Sequence, residues 1–145
     1  MNTLDGARIG VAAQAVGISQ RALDESVKYC KNCAASGAPI TKSQEIQCMI
    51  ADMSIRTEAA RVITYKAAQI QDSGERCTVE AAQAKMFASE AAKFCVDRAM
   101  QIHSGYGLIG EFSIIEKLYR DQRITEIYEG TNEIQRLVIA NDLLR

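Results

Sequence analysis

The chain of 145 residues (15.9 kDa) is long enough to bury the core of one ordinary domain, and its length excludes a two-domain enzyme. Hydrophobic residues at 48% and charged residues at 24% are typical of a globular protein and exclude a disordered or fibrous one. Seventeen basic and eighteen acidic side chains give a net charge of -1, so the composition predicts neither a nucleic-acid nor a membrane partner.

No apolar run in the sequence approaches the ~20 residues that a membrane-spanning helix needs. The segment from Met1 to Asp5 has neither the basic-then-apolar pattern of a secretory signal nor an arginine-rich leader, so we expect no targeting signal there. Five cysteines are an odd number at low density, which indicates free thiols and a reducing compartment.

A single proline, Pro39, and long stretches without helix breakers predict an all-α protein. The first helix is expected from about Leu4 to Ala35, and Gly37-Ala38-Pro39 would end it. Two apolar stripes along this helix predict burial on two sides. One stripe comprises Leu4, Val11, Ala15, Ile18 and Ala22, and the other comprises Ile9, Val16, Leu23, Val27 and Cys30.

The second helix is predicted to open at Thr41, which stands at capping-box spacing from Gln44, and to end at Asp72-Ser73-Gly74. Its apolar residues alternate in steps of three and four, as in a bundle seam. They are Ile46, Met49, Met53, Ala60, Ile63, Ala67 and Ile70. A third helix is expected from about Val79 to Ile102, with a face of small residues that allows close helix approach. That face comprises Ala88, Ala91, Cys95, Ala99 and Ile102.

A short helix is expected near Ile114 to Arg120, before a last helix whose N-terminus Asn132 and Gln135 would cap. The apolar face of the last helix comprises Ile134, Leu137, Val138, Leu143 and Leu144. Together these elements predict an all-α, up-and-down four-helix bundle with a short additional helix before the last one.

Cys30 and Cys33 form a CxxC pair, but with a single histidine in the chain they cannot complete a tetrahedral zinc site, so we predict no metal site. We favour small core hydrophobes as their role, with redox chemistry as the alternative. His103 ends a helix, where an imidazolium would suit the carbonyl dipoles, and we interpret it as structural or cofactor-adjacent. The Gly105-Tyr106-Gly107 loop lacks the preceding strand and following lysine of a P-loop.

Glu129 lies between Tyr128 and Gly130, in a loop that follows an apolar run. Desolvation beside apolar walls would raise its pKa and make the carboxylate a general base near neutral pH. The plainer alternative is a solvated loop glutamate.

The segment Tyr119-Arg120-Asp121 and the string from Ile124 to Arg136 resemble the acyl-CoA dehydrogenase family. Short-chain, butyryl-CoA-type members are similar at Thr3 to Gly10 with Ala12 to Ala15, and at Gln44 to Gln47 with Ala51 to Met53. The resemblance covers essentially the whole chain. It implies that residues 1–145 are the C-terminal helical domain, and that the amino-terminal and β-domains of the family are absent from this chain.

The resemblance implies FAD-dependent oxidation of an acyl-CoA to a trans-2-enoyl-CoA. Glu129 would remove the α-proton while a hydride leaves the β-carbon for the flavin, and the Glu129 N–H would polarise the thioester carbonyl. Tyr128 and Gly130 would line the substrate pocket. The residues implied for FAD binding are Gln101, Gly105, Thr131 and Glu133.

The family resemblance also implies partners. FAD would lie between this domain, the β-domain and a second subunit of a homo-oligomer, and an electron-transfer flavoprotein would accept the electrons. The missing domains could stand on the same polypeptide or on a partner chain. A bacterial cytoplasm and a mitochondrial matrix would suit such an enzyme equally.

Three departures from the family pattern bear on the cofactor. Cys33 replaces an arginine that contacts the flavin pyrophosphate, Ser36 replaces a phenylalanine near the flavin, and Ser104 replaces the first of two paired glycines. The lost charge-assisted contact predicts weak or absent FAD binding by the isolated domain. The alternative function is therefore a non-catalytic helical oligomerisation or interaction module, which Cys33 and Ser36 favour. The intact Tyr128-Glu129-Gly130-Thr131 favours the enzyme.

Overall fold

The computed structural model describes residues 2–35 and 38–145. Within these ranges the chain forms five α-helices, and the predicted all-α helical bundle is confirmed. They are α1 (Asn2–Asn32), α2 (Gln44–Asp72), α3 (Thr78–His103), α4 (Ile115–Arg123) and α5 (Asn132–Leu143). Ser36 and Gly37, which entered the predictions above, lie outside the described residues. A short antiparallel pair that the sequence did not predict, β1 (Ala34–Ala35) and β2 (Ala38–Pro39), follows α1.

Helices α1 and α2 run in opposite directions. Near the middle of both helices, Nη2 of Arg61 donates to Oε1 of Gln20 at 2.6 Å. Towards the start of α1, Gly6 lies against the Gln71 side chain at the end of α2. The start of α1 therefore lies beside the end of α2, so the two helices are antiparallel, as an up-and-down bundle requires.

Helix α3 runs in the same direction as α1. Thr78 at the start of α3 donates its hydroxyl to Asp5 at 2.8 Å, and His103 at its end stacks on Tyr29. No helix within the described ranges is long and apolar enough to cross a membrane.

The core lies between these three long helices and is built largely of small side chains. All five residues predicted for the small face of α3 are buried. Of the ten stripe residues on α1, seven are buried, and Leu23 and Val27 are partly buried. The predicted burial of Leu4 is wrong, since this residue is 42% exposed. The first turns of α1 present Asp5 and Arg8 to the interior instead.

The predicted opening of α2 is also wrong. Residues Ile40–Lys42 form a 3-10 turn, so the helix begins only at Gln44 and Thr41 lies in the turn before it. The N-cap residue is Ser43, and its side chain makes no capping hydrogen bond. Met53, Ala60 and Ala67 of the predicted seam are buried, and its other four residues are partly buried.

Helix α5 packs with the opposite face from the one its sequence predicts. Thr131 is its N-cap residue, while the predicted caps Asn132 and Gln135 are buried and point to the interior. Of the five residues predicted for its apolar face, four are exposed, among them Leu137 at 57% and Leu143 at 76%, and Val138 is partly buried. The described residues leave most of this apolar face uncovered.

The turn after α3 contains a strained serine. Ser104 has φ 53° and ψ -139°, a backbone conformation that favours glycine. Gly107 in the same turn is close-packed, since a Cβ there would lie 2.9 Å from Sδ of Met100. This strain at Ser104 costs on the order of 1 kcal/mol or more.

We expect Ser104→Gly to raise the free energy of unfolding by about 1 kcal/mol, because glycine adopts the positive φ without strain. Ser54→Gly, at an exposed position inside α2, is the matched control and should lower it by about 0.5 kcal/mol. Urea unfolding of the two variants and the parent chain measures both values. Equal changes in the two variants would contradict the strain at Ser104.

Candidate active site

Glu129 occupies an unusual turn between α4 and α5. After a 3-10 turn at Ile124–Glu126, the backbone takes φ 56° at Glu129 and φ 89° at Gly130. A positive φ is uncommon for a residue with a side chain and costs free energy, so contacts from elsewhere in the fold must hold Glu129 in place.

The carbonyl oxygen of Glu129 provides those contacts. It accepts a hydrogen bond from Nε of Arg8 at 3.4 Å and from Nε2 of Gln135 at 3.2 Å. Nε2 of Gln135 also donates to the Gly130 carbonyl at 2.8 Å, and a Cβ at position 130 would lie 2.8 Å from that nitrogen. Gly130 therefore gives the Gln135 amide room to reach the turn.

These contacts hold the backbone of Glu129 and leave its functional groups free. Within the described part of the chain, no hydrogen bond or ion pair engages the Glu129 carboxylate, and none engages its backbone N–H. The residue is partly buried. A proton acceptor and a hydrogen-bond donor are thus presented by one residue.

Arg8 is itself held in the interior. It is 6% exposed, and its Nη1 contacts Oδ1 of Asp5 at 3.2 Å. Oδ2 of Asp5 accepts the Thr78 hydroxyl at 2.8 Å. The buried guanidinium is therefore paired, and it ties the Glu129 turn to the first turns of α1 and α3.

A second buried cation supports the start of α5. Lys85 on α3 is completely buried, and its Nζ donates to Oδ1 of Asn132 at 2.8 Å. Nδ2 of Asn132 donates to the hydroxyl oxygen of Ser89 at 2.9 Å. Burial lowers the pKa of Lys85 to about 8.

Tyr128 is fixed against α1. It is partly buried, and its phenol donates to Oε1 of Gln14. Ile124 and Ile127, on the preceding turn, are 45% and 44% exposed. An uncovered apolar surface therefore adjoins the Glu129 turn.

Thr131 and Glu133, predicted for FAD binding, border a groove of about 350 Å³ between α3, α5 and the 3-10 turn. Hydrogen bonds from its own backbone N–H and from the Thr131 hydroxyl lower the pKa of Glu133, so this carboxylate stays charged. Gln101 and Gly105, the other two predicted FAD residues, are exposed at the far end of α3.

The structure thus divides the predicted site residues into two groups. Tyr128, Glu129, Gly130, Thr131 and Glu133 come together at one turn and the helix after it. Gln101 lies twelve residues along α3 from Ser89, which contacts the start of α5, a separation of about 18 Å in an α-helix. One copy of the chain does not bring the two groups to one place.

The comparisons with known proteins bear directly on this arrangement. The family model described as acyl-CoA dehydrogenase, C-terminal domain, matches residues 1–144. This chain belongs to the acyl-CoA dehydrogenase family.

Individual relatives agree with the family match. The mitochondrial short-chain specific acyl-CoA dehydrogenase of Bos taurus is 54% identical over 145 residues, which are 100% of this chain and 35% of that protein. The structure of butyryl-CoA dehydrogenase from Megasphaera elsdenii superposes with a TM-score of 0.96 at 48% identity, over 99% of this chain and 37% of that one.

A third similarity is to a chain in the structure of the electron transferring flavoprotein of Acidaminococcus fermentans. Its TM-score is 0.96 at 46% identity, again over 99% of this chain and 37% of that one. The chain therefore spans about a third of the length of the relatives that it matches.

Sequence reasoning missed the residues that support the Glu129 turn, although the signals were present. Arg8 falls between Leu4 and Val11 on an apolar stripe, and Lys85 stands three residues before Ala88 on the small face of α3. A charge inside a buried stripe indicates a paired group in the interior. The role of Gln135 depends on the Glu129 turn and has no such sequence signal.

The cysteines and the histidine behave mostly as structural groups. Cys30 is buried and Cys33 partly buried, and burial raises the pKa of the Cys30 thiol. His103 is buried, with its ring 4.3 Å from that of Tyr29 and its Nδ1 2.8 Å from the Ala99 carbonyl. Burial lowers the pKa of His103.

We expect Lys85→Met to raise the free energy of unfolding at pH 7 by on the order of 1–3 kcal/mol, because folding no longer dehydrates a charged amine. The Lys85 pKa falls from 10.5 to about 8 on folding, so between these values the unfolded chain binds more protons. The parent therefore gains stability as the pH rises from 8 to 10. The difference in free energy of unfolding between Lys85→Met and the parent shrinks over the same range.

Urea unfolding of the chain at pH 7 and pH 10 measures this difference, with Lys66→Met on the exposed side of α2 as the matched control. The free energy of unfolding of the control should match that of the parent at both pH values. A Lys85→Met variant that is less stable than the parent, by an amount independent of pH, would contradict the account of this buried amine.

Proposed function

We propose that residues 1–145 form the C-terminal helical domain of an FAD-dependent acyl-CoA dehydrogenase of short-chain type, which oxidises an acyl-CoA to a trans-2-enoyl-CoA. The observation that supports this most directly is Glu129, whose carboxylate stands free while its backbone is held by Arg8 and Gln135. The amino-terminal and β-domains come from the rest of the protein or from a partner chain, so the isolated domain is inactive.

Glu129 performs two tasks in the proposed reaction. Its carboxylate takes the proton from the carbon next to the thioester, and its backbone N–H donates to the thioester oxygen as negative charge develops there. The flavin, when bound, accepts the hydride that leaves the β-carbon. Tyr128, fixed by Gln14, and Gly130 line the acyl site.

The residues around Glu129 fit a flavin ring. Ile124 and Ile127 offer an exposed apolar surface beside Glu129, and Thr131 offers a hydroxyl at the neighbouring groove. Gln101 and Gly105 would contact the same flavin from a second copy, because Gln101 lies about 18 Å along α3 from Ser89, which contacts the start of α5. The partner copy would therefore complete the site.

A homo-oligomer also accounts for the outward apolar face of α5. Leu137 and Leu143 are more than half exposed, which is costly for leucine in water. The relatives support the remaining partners: an acyl-CoA as substrate and an electron-transfer flavoprotein as acceptor. Their mitochondrial and bacterial origins suit a mitochondrial matrix or a bacterial cytoplasm.

The second candidate function is a non-catalytic helical module derived from the family. Cys33 favours it, because a partly buried thiol cannot replace the pyrophosphate contact of an arginine. The free carboxylate of Glu129 favours the enzyme.

We expect Glu129→Gln in the complete flavoenzyme to lower kcat by about a thousandfold, since an amide cannot accept the α-proton. The flavin absorbance spectrum should stay unchanged, because the substitution leaves the backbone contacts in place. Steady-state oxidation of short acyl-CoA substrates measures kcat. Glu111→Gln, at an exposed loop position, is the control and should retain full activity. Undiminished turnover by the Glu129 variant would refute the assigned base.

We expect Cys33→Arg to tighten FAD binding by the complete protein about tenfold, which is the effect of one hydrogen bond to a charged group. Cys48→Arg adds the same charge at an exposed position of α2 and should leave the affinity unchanged. Titration of the apoprotein with FAD, followed by flavin absorbance, measures both. Equal effects of the two arginines, or no binding by any form, would favour the non-catalytic module.

A further inference from the structure

Lys85 is a buried amine to which the proposed reaction assigns no role. It lies on α3 among the buried Ala81, Ala84 and Ala88, and none of its side chain is exposed. A lysine ammonium has three hydrogen-bond donors, and the described residues give it one acceptor, Oδ1 of Asn132. As a purely structural residue it is a poor choice, because an apolar side chain of the same length would avoid the cost of burying the amine.

Its one partner occupies a position that matters for the Glu129 turn. Asn132 is the first residue of α5 and follows Gly130 and Thr131 directly. One turn later on the same helix, Gln135 donates to the carbonyl of Glu129. The point at which Asn132 is anchored on α3 therefore sets the positions of Gln135 and of the Glu129 turn.

We propose that Lys85 is a positioning residue for Glu129: through Asn132 it anchors the first turn of α5 on α3, and so sets the turn that aims the Glu129 carboxylate. The inference rests on the proposed function of Glu129 as a base. Lys85 touches neither substrate nor flavin in this account, and its effect reaches the reaction through Asn132 and Gln135.

Charged groups face Lys85 from three elements. Burial lowers the pKa of Lys85 to about 8. The charges of Glu126, on the 3-10 turn, and Glu133, on α5, raise this pKa, and the charge of Arg8, on α1, lowers it further. Below this pH the bond to Asn132 is charge-assisted and about twice as strong as a neutral one. Above it, the amine is neutral and holds Asn132 less firmly.

The test uses the complete flavoenzyme and four forms: parent, Lys85→Met, Asn132→Asp and the exposed control Lys66→Met. Acyl-CoA oxidation is measured from pH 6 to pH 10, with FAD content and thermal stability recorded for each form. In the parent, kcat should fall above about pH 8. In Lys85→Met, kcat at pH 7 should be about tenfold lower with KM within about twofold, and the fall near pH 8 should vanish.

Asn132→Asp provides a readout that a structural role would not move. A carboxylate beside Lys85 stabilises its charged form, so the fall in kcat should shift to higher pH in this variant. Lys66→Met should match the parent throughout.

Three results would overturn this proposal alone and leave the proposed function of Glu129 in place. One is a Lys85→Met enzyme with the kcat and pH profile of the parent. Another is a Lys85→Met enzyme that loses thermal stability or FAD in proportion to its activity. The third is an Asn132→Asp profile identical to that of the parent. Parent and Lys66→Met enzymes that bind FAD and oxidise no acyl-CoA would overturn the proposed function and this inference with it, so the two failures are distinguishable.

Discussion

The architecture around Glu129 depends on one constraint: a left-handed backbone at a residue that has a side chain. Such a conformation persists only where surrounding contacts fix it. Here Arg8 contributes one hydrogen bond from a position 121 residues away, and Gln135 contributes another from the helix that follows. Because both bonds go to the carbonyl, the side chain and the N–H of Glu129 stay free for chemistry.

This constraint explains the polar interior on the side of α5. Arg8, Lys85, Asn132 and Gln135 are all buried, beside a core built largely of alanine and other small side chains. Buried charges lower stability unless they are paired, so they are expected where they serve a site. Arg8 is paired with Asp5, while Lys85 has only a neutral acceptor and a lowered pKa.

The long helices were predictable because their apolar periodicity reflects contacts within this chain. The third helix, expected from Val79 to Ile102, extends from Thr78 to His103. The orientation of α5 was not predictable, because its apolar face is covered by nothing in the described residues. Apolar periodicity indicates which helix face is buried in the complete assembly. Such a face can be buried by another domain or subunit and not by this domain.

The candidate base was found from the sequence, but its supports were not. Tyr128, Glu129 and Gly130 are neighbours in the chain, so a local motif identifies them. Arg8 and Lys85 act across more than forty residues, and only the fold brings them to the turn. The residues proposed to bind FAD are a further case, because Gln101 lies about 18 Å along α3 from Ser89, which contacts the start of α5, and a linear motif does not tell which copy of a chain contributes a residue.

The role of Glu129 as the base can be measured as α-proton exchange in the complete flavoenzyme, with a short acyl-CoA whose β-carbon carries no hydrogen and therefore cannot lose a hydride. In deuterated water, NMR or mass spectrometry follows the loss of hydrogen from the α-carbon. We expect exchange by the parent enzyme and none above background by Glu129→Gln. Equal exchange in the two enzymes, or none in either, would show that Glu129 is not the base.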